Sequence, residues 1–304
     1  MENNFDVSVN SHPRDANVSF QDEGHIYTIK GYNGKTISVT TLIKKYFPEF
    51  NDEVASELKI RNMTIKDKYY AIAKEIILRY YPELDNEVEP TAIQIGNFFI
   101  TEHRDKDQEI IRKINNLRSD ELAYLELAKY IKDDWKRNGK EASEDGTAMH
   151  ADIEKNFLKQ QLKNPDSKEF KLFLKFWEQI KVAYPQFTPY RPEWIVYDED
   201  IGLCGSIDLV LSDNNGNVII IDWKRTKEIK FENRWQKAAA PFQNYDDCNY
   251  LKYSLQLNFY RHMLENKYNK RAVGMLIVVL HPSQDEPLSY PVERIDLSKV
   301  WNNL

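Results

Sequence analysis

Residues 203–224 read LCGSIDLVLSDNNGNVIIIDWK. Two apolar runs, Leu203 to Leu211 and Val218 to Trp223, flank Asn215-Gly216, the dipeptide best suited to the left-handed residues of a tight hairpin turn. Side chains alternate across a strand, so Asp222 and Lys224 share one face and Trp223 takes the other. A hairpin centred near Asn215 puts Asp208 roughly opposite Asp222 on the neighbouring strand. Like charges side by side among Ile, Leu and Val destabilise a sheet unless a cation lies between them. A divalent metal answers that need, because Asp oxygens are hard ligands suited to Mg²⁺ or Mn²⁺. The Lys224 ammonium is then placed to stabilise developing negative charge or to orient a water, and phosphodiester hydrolysis is the chemistry this set describes. The same short pattern also arises on half-exposed sheets, where Lys224 would only pair with a solvent-facing carboxylate. The pattern alone leaves both readings open.

Working outward, Glu193 to Tyr197 has strand character, a helix is expected from about Tyr250 to Asn266, and the apolar run Ala272 to Leu280 is a further strand. From residue 146 the order is helix, strand, strand, strand, helix, strand. This predicts an α/β (α+β) fold with a central mixed sheet flanked by helices. Near the N-terminus, residues 18–40 alternate as half-buried strands do, with turns at Gly31 and Asn33-Gly34, which predicts a small hairpin. From Thr41 to about Tyr184 the spacing is helical, with breaks expected near Pro48, from Pro82 to Pro90, and from Gly139 to Gly146 beside the helix punctuation of Asp145 and Thr147. The expected division is an N-terminal hairpin plus helical region over 1–142, capping the site, and a core over 143–304.

With 304 residues, 41% hydrophobic and 30% charged, and only 10 Gly and 12 Pro, the chain is neither collagen-like, low-complexity nor wholly disordered. Two cysteines, Cys204 and Cys248, cannot build a disulfide framework, a four-cysteine zinc site or a four-thiolate iron–sulfur cluster. The polar start, Met1 to Asn10, and a longest apolar run far short of the roughly 20 residues of a membrane span predict an intracellular, unsecreted protein with no membrane partner. A net charge of −6 argues against coating nucleic acid through bulk charge, though not against a local basic groove.

Two further pairs matter. His150 and Glu154, at i and i+4, share one face of a helix whose inward stripe is Met149, Ile153 and Phe157, and Gln256 and Tyr260 have the same spacing on the later helix. Alone, neither pair is informative. Together, Gly-Thr-x-x-His at 146–150 with Ile153-Glu154, then Glu193, Gly205-Ser206-Ile207-Asp208, Ile221-Asp222-Trp223-Lys224 and Gln256-x-x-x-Tyr260 resemble the RecB-type branch of the PD-(D/E)XK nuclease superfamily. That branch includes lambda-type exonucleases and the mitochondrial genome maintenance exonucleases. The resemblance covers roughly residues 143–281. A weaker likeness to viral and phage relatives lies in His25-Ile26-Tyr27 and Ser38 to Ile43.

The resemblance implies a restriction-endonuclease-like core and a nuclease using one or two Mg²⁺ or Mn²⁺ ions. Asp208 and Asp222 would be the metal-binding carboxylates, Lys224 the catalytic lysine, and His150 and the backbone carbonyl of Trp223 further metal ligands. Gln256 and Tyr260 would position the substrate strand, and Glu154 and Glu193 fall where relatives are often acidic, as direct ligands or as supports. The element written "PD" reads Ile-Asp here. The cysteine quartet of cluster-bearing relatives is missing, so no iron–sulfur cluster is expected.

The favoured substrate is DNA, single-stranded or with free ends, cut by an exonuclease, either in the cytoplasm or where viral or phage DNA replicates. An RNA or structure-specific endonuclease and a non-catalytic binding module are the alternatives. Arg225, Lys227 and neighbouring basic residues up to Lys237, interleaved with Phe231 and Trp235, have the make-up of a single-strand channel. Arg61 to Lys74 could line another wall. Thr40 and Thr41, ahead of a helix expected near Leu42, could offer hydroxyls to a phosphate or simply cap that helix. No phosphate-binding GxxxxGK[ST] loop is present, so unwinding would need a helicase or a replication or recombination partner; a monomer is expected.

Overall fold

The computed structural model describes residues 10–85, 94–95, 98–99, 105–213 and 215–301. The N-terminal elements are β1 (Val18–Gln21), β2 (Ile26–Ile29), β3 (Ile37–Ser38) and α1 (Val39–Lys44). Then come α2 (Asp52–Arg61), α3 (Tyr70–Tyr80), β4 (Gln94–Ile95), β5 (Phe98–Phe99), α4 (Lys106–Asn115), α5 (Leu122–Phe157) and α6 (Lys168–Ala183). The rest is β6 (Thr188–Asp198), β7 (Leu203–Ser212), β8 (Asn217–Lys224), α7 (Asn249–Lys267), β9 (Arg271–Val279), β10 (Leu288–Pro291) and α8 (Ser298–Trp301). Contacts divide the chain into two units, Met1–Glu49 with Ala142–Leu304, and Phe50–Glu141. The N-terminal hairpin thus belongs with the sheet.

The first unit is the mixed sheet with flanking helices that the order of elements predicts. Its strands run β10-β9-β8-β7-β3, with β6 also on β7. Alternation along β8 sends Ile219, Ile221 and Trp223 into one core with α5 and α6, and Val218 and Ile220 into another with α1 and α7. Trp223 is anchored edge-on between Phe173 and Phe176 of α6, with ring centroids 5.6 and 5.5 Å away. The second unit packs α2, α3, α4 and the start of α5 around Ile60, Ile76, Ile110, Leu127 and Ile131.

The sheet contains a fork. β6 lies along β7 from Leu203 to Ser212, so β8 and β3 must share the opposite edge of β7. There β8 pairs only with Leu209 to Ser212, and β3 only with Leu203 and Cys204. β8 is paired with β9 from Asn217 to Lys224, so beyond Ile221 it leaves β7 and keeps β9 alone. Among the described residues, Gly205 to Asp208 therefore has no ladder partner on the fork side, and this stretch is the Gly-Ser-Ile-Asp motif.

Several expectations are corrected. α5 runs through Gly139 and Gly146 without a break: a Cβ at either would meet nothing within 4 Å, so each glycine costs only its helix propensity, about 1 kcal/mol. Asp145 and Thr147 lie mid-helix, the Thr147 hydroxyl donating to the Ser143 carbonyl at 3.0 Å. The hairpin is β1–β2 alone, turning at Gly24 (φ 80°) and His25 (φ 52°). Asn33-Gly34 does not close a second one, because β3 leaves to pair in parallel with β7. α1 starts at Val39, capped by Ser38. β10 and α8 were not foreseen.

Ahead of β1, the Arg14 guanidinium grips Glu199 just past β6, donates to the Tyr197 carbonyl at 3.2 Å and covers the Tyr197 ring at 4.2 Å. This partner holds the Glu199 carboxyl down to about 2, from an ordinary 4.5. The depressed carboxyl contributes stability that is complete above pH 4.5 and is lost as pH falls towards 2. With Glu199 partly exposed, solvent screening limits this to about 1 kcal/mol. Glu199→Gln is expected to lower stability by that amount at neutral pH, with the gap closing towards pH 2 in urea titrations.

Candidate metal centre

Three elements meet at the fork. α5 brings His150, β6 brings Glu193 and β7 brings Asp208, and their ligating atoms all lie within 4.8 Å of one another. His150 Nδ1 is 3.5 Å from both Glu193 Oε1 and Asp208 Oδ2. Its Nε2 faces the Trp223 carbonyl at 3.2 Å. Asp208 Oδ2 accepts the Trp223 backbone N–H at 2.7 Å, so a side-chain oxygen satisfies the amide where the β7–β8 ladder ends. Glu193 has a left-handed backbone, φ 41°, which costs a non-glycine residue about 1–3 kcal/mol. It is held there between the paired Pro192 and Trp194, and Ser206 Oγ donates to its Oε2 at 2.9 Å.

Asp222 is buried beside this group. Lys224 Nζ lies 2.6 Å from its Oδ2, yet among the described residues neither Asp222 oxygen accepts an aligned hydrogen bond. Lys224 also donates to Gln256 Oε1 at 3.2 Å, and Gln256 Nε2 donates to the Tyr260 hydroxyl at 3.2 Å. Tyr253, which the motifs did not single out, places its ring 4.8 Å from the ammonium. Gly205 is required by Tyr260: a Cβ would come within 2.6 Å of the ring.

The charges are strongly coupled. Burial pulls the His150 imidazole down, but the Asp208 and Glu193 carboxylates outweigh it and hold it raised at about 9. Burial pushes Asp208 up, reinforced by Asp222 and Glu193 and opposed by His150. For Lys224, burial is outweighed by Asp222 and Asp208, and the ammonium is favoured. Three carboxylates beside an imidazole, with both Asp222 oxygens lacking an aligned donor among the described residues, are a donor set that fits a divalent cation.

The other predicted residues fall around this centre. Trp223 presents its carbonyl to it through His150. Glu154, one turn beyond His150, is pushed up by burial and by Glu193 and is not part of the three-residue group. Arg225 is held at 2.8 Å by both Asp145 and Glu169, tying the end of β8 to α5 and α6. Lys227 is exposed. Ser38 Oγ donates to the Thr41 hydroxyl oxygen at 2.8 Å and is hydrogen-bonded to the Thr40 hydroxyl at 3.0 Å, at the start of α1. Of the Arg61 to Lys74 stretch, Arg61, Lys68 and Lys74 are paired with Glu57, Asp134 and Asp107 inside the helical unit.

The fork of the mixed sheet thus brings together two buried carboxylates, the partly exposed Glu193, an imidazole and a lysine. The description of the PD-(D/E)XK nuclease superfamily matches residues 78–300, and the chain belongs to that superfamily of metal-dependent nucleases. No curated protein matches the chain. A solved structure described as "Crystal structure of SSO0001" is similar at 14% identity and a TM-score of 0.21, over 43% of this chain and 53% of that one. The match thus spans about half the length of that relative. Among the described residues, no helix is long and apolar enough to cross a membrane.

Mn²⁺ at about a hundred times its Kd is expected to stabilise the protein by about 2.7 kcal/mol, a rise of about 5 °C in Tm. Asp208→Asn, which keeps an oxygen for the Trp223 N–H, is expected to abolish that rise in a thermal melt. Gly205→Ala is expected to cost about 1–3 kcal/mol through overpacking against Tyr260, read as a lower denaturation midpoint.

Proposed function

We propose that this chain is a deoxyribonuclease of the RecB-type branch, working as an exonuclease on single-stranded or end-bearing DNA. The observation that carries the reading is the convergence of His150, Glu193 and Asp208 with the Asp222–Lys224 pair at the open edge of β7. In this reading His150, Asp208 and Asp222 hold Mg²⁺ or Mn²⁺, and Glu193 joins them as a direct ligand. A divalent ion there supplies Lewis-acid polarisation of the phosphate and a water of lowered pKa.

The side chains do the rest. Lys224, steadied by Gln256 Oε1, offsets negative charge building on the phosphate. Gln256 and Tyr260, joined to each other, fix where that ammonium points. Ser206 keeps Glu193 turned towards the centre. The imidazole among the ligands suits Mn²⁺ at least as well as Mg²⁺, since nitrogen donors favour the metal later in the affinity order. The protein acts as a monomer inside the cell, with any duplex opened by a partner.

Asp222→Ala and Lys224→Ala are each expected to lower the cleavage rate of end-labelled single-stranded DNA by about 100-fold or more. Wild-type activity should vanish with chelator and return with Mn²⁺. Closed-circular single-stranded DNA should survive; its rapid cutting would identify an endonuclease, and equal activity in the wild type and both variants would remove these residues from the chemistry.

A further inference from the structure

Two partly buried tyrosines of α7 lie between Lys224 and an exposed aromatic ring. Tyr253 lies beside the ammonium, and Tyr250, three residues earlier, shares its face of α7. Phe231 lies against Tyr250 with ring centroids 4.6 Å apart and planes at 42°, and meets Tyr290 of β10 at 5.6 Å. These rings are held in place. The Tyr250 hydroxyl donates to the Pro291 carbonyl at 3.0 Å. The Phe231 segment is clamped to the start of α7, since Lys230 N donates to Asn249 Oδ1 at 2.7 Å and Tyr250 N donates to the Lys230 carbonyl at 3.3 Å. Asn249 Nδ2 adds a bond to the Glu228 carbonyl at 3.0 Å. Despite two aromatic neighbours, Phe231 remains 52% exposed.

A clamped, half-exposed ring packed on a tyrosine of the helix that also borders Lys224 offers a flat apolar face to an occupant that stacks. We propose that Tyr253, Tyr250 and Phe231 form a stacking track for the unpaired bases of single-stranded DNA, with Phe231 as a positioning residue at its outer end. The inference rests on the nuclease reading and adds how the single strand is held. Stacking on aromatic side chains tolerates any base, because every base has a π-face. Bases inside a duplex are already stacked on one another, so the track selects single strands. Lys227 and Lys230 lie on the same segment, and the Lys230 ammonium, 3.3 Å from Glu228, is exposed enough to exchange that carboxylate for a phosphate.

The test uses the full chain and labelled oligothymidylate. Binding is followed by fluorescence anisotropy with Ca²⁺, and cleavage separately with Mn²⁺. Phe231→Ala is expected to weaken single-strand binding about tenfold, the worth of one stacked base, while binding to a blunt hairpin duplex stays unchanged. Phe231→Trp should keep the affinity, and Phe231→Leu, which preserves apolar bulk without a ring, should not. One abasic position in the oligonucleotide should weaken wild-type binding about tenfold, with no further loss there in Phe231→Ala. Unchanged single-strand affinity in Phe231→Ala, an equal loss for the duplex, or a wild type that binds no single strand would overturn the track. A wild type that binds through Phe231 but never cuts supports the track and overturns the nuclease reading. One that cuts, and binds single strands equally well with Ala at 231, does the reverse.

Discussion

Buried carboxylates without enough positive charge to match them are the constraint around which this unit is arranged. Taking an ion out of water costs several kcal/mol even after relaxation, and only well-aligned partners return that cost. Asp208, Asp222 and Glu193 share the fork, and the protein sets one imidazole and one ammonium against them. His150 and Lys224 are accordingly favoured in their charged forms despite burial. Among the described residues Asp222 still lacks an aligned donor, a buried arrangement that makes sense when a cation completes it.

The fork makes this arrangement possible. In a continuous ladder, an inter-strand backbone bond would occupy the edge of β7 at Gly205 to Asp208. Here β8 moves off with β9, and the Asp208 carboxylate takes the Trp223 N–H, so the departure leaves no stranded donor. The opening also lets both faces of the sheet contribute. His150 arrives on the α5 side, where Met149 and Ile153 are buried, whereas Gln256, Tyr253 and Tyr260 come from α7 on the other. Trp223, wedged edge-on against Phe173 and Phe176, holds the strand that carries Asp222 and Lys224.

One strained backbone position lies at the same place. Glu193 is the one non-glycine residue of this centre with a left-handed backbone, and fully buried Trp194 beside it fixes that turn by packing. A carboxylate held this way loses little freedom on meeting a ligand, the general advantage of a preorganised site. Gly205 plays the complementary part: by having no side chain, it lets Tyr260 close on the floor of the fork.

Much of this was readable along the chain. Period-two alternation and Asn215-Gly216 determined the β7–β8 hairpin, because they act over a few residues, and the parity of Asp222 and Lys224 followed from the pleat. The i, i+4 pairs on α5 and α7 were likewise local facts. Glu193 was visible only as an acidic residue of uncertain role, since its backbone conformation is imposed by the pairing of Pro192 and Trp194 with β7. The continuous α5 overrode two glycines whose cost is small on an open face. Where the strands part, and hence that Gly205 to Asp208 faces an open edge, depends on β3 and β9 competing for neighbours far away in sequence. Residue types and spacing determined which chemistry the chain carries; only long-range strand pairing decided that its charged groups meet in one desolvated place, because pairing partners, unlike pleat and helical period, are not encoded within a few residues of each other.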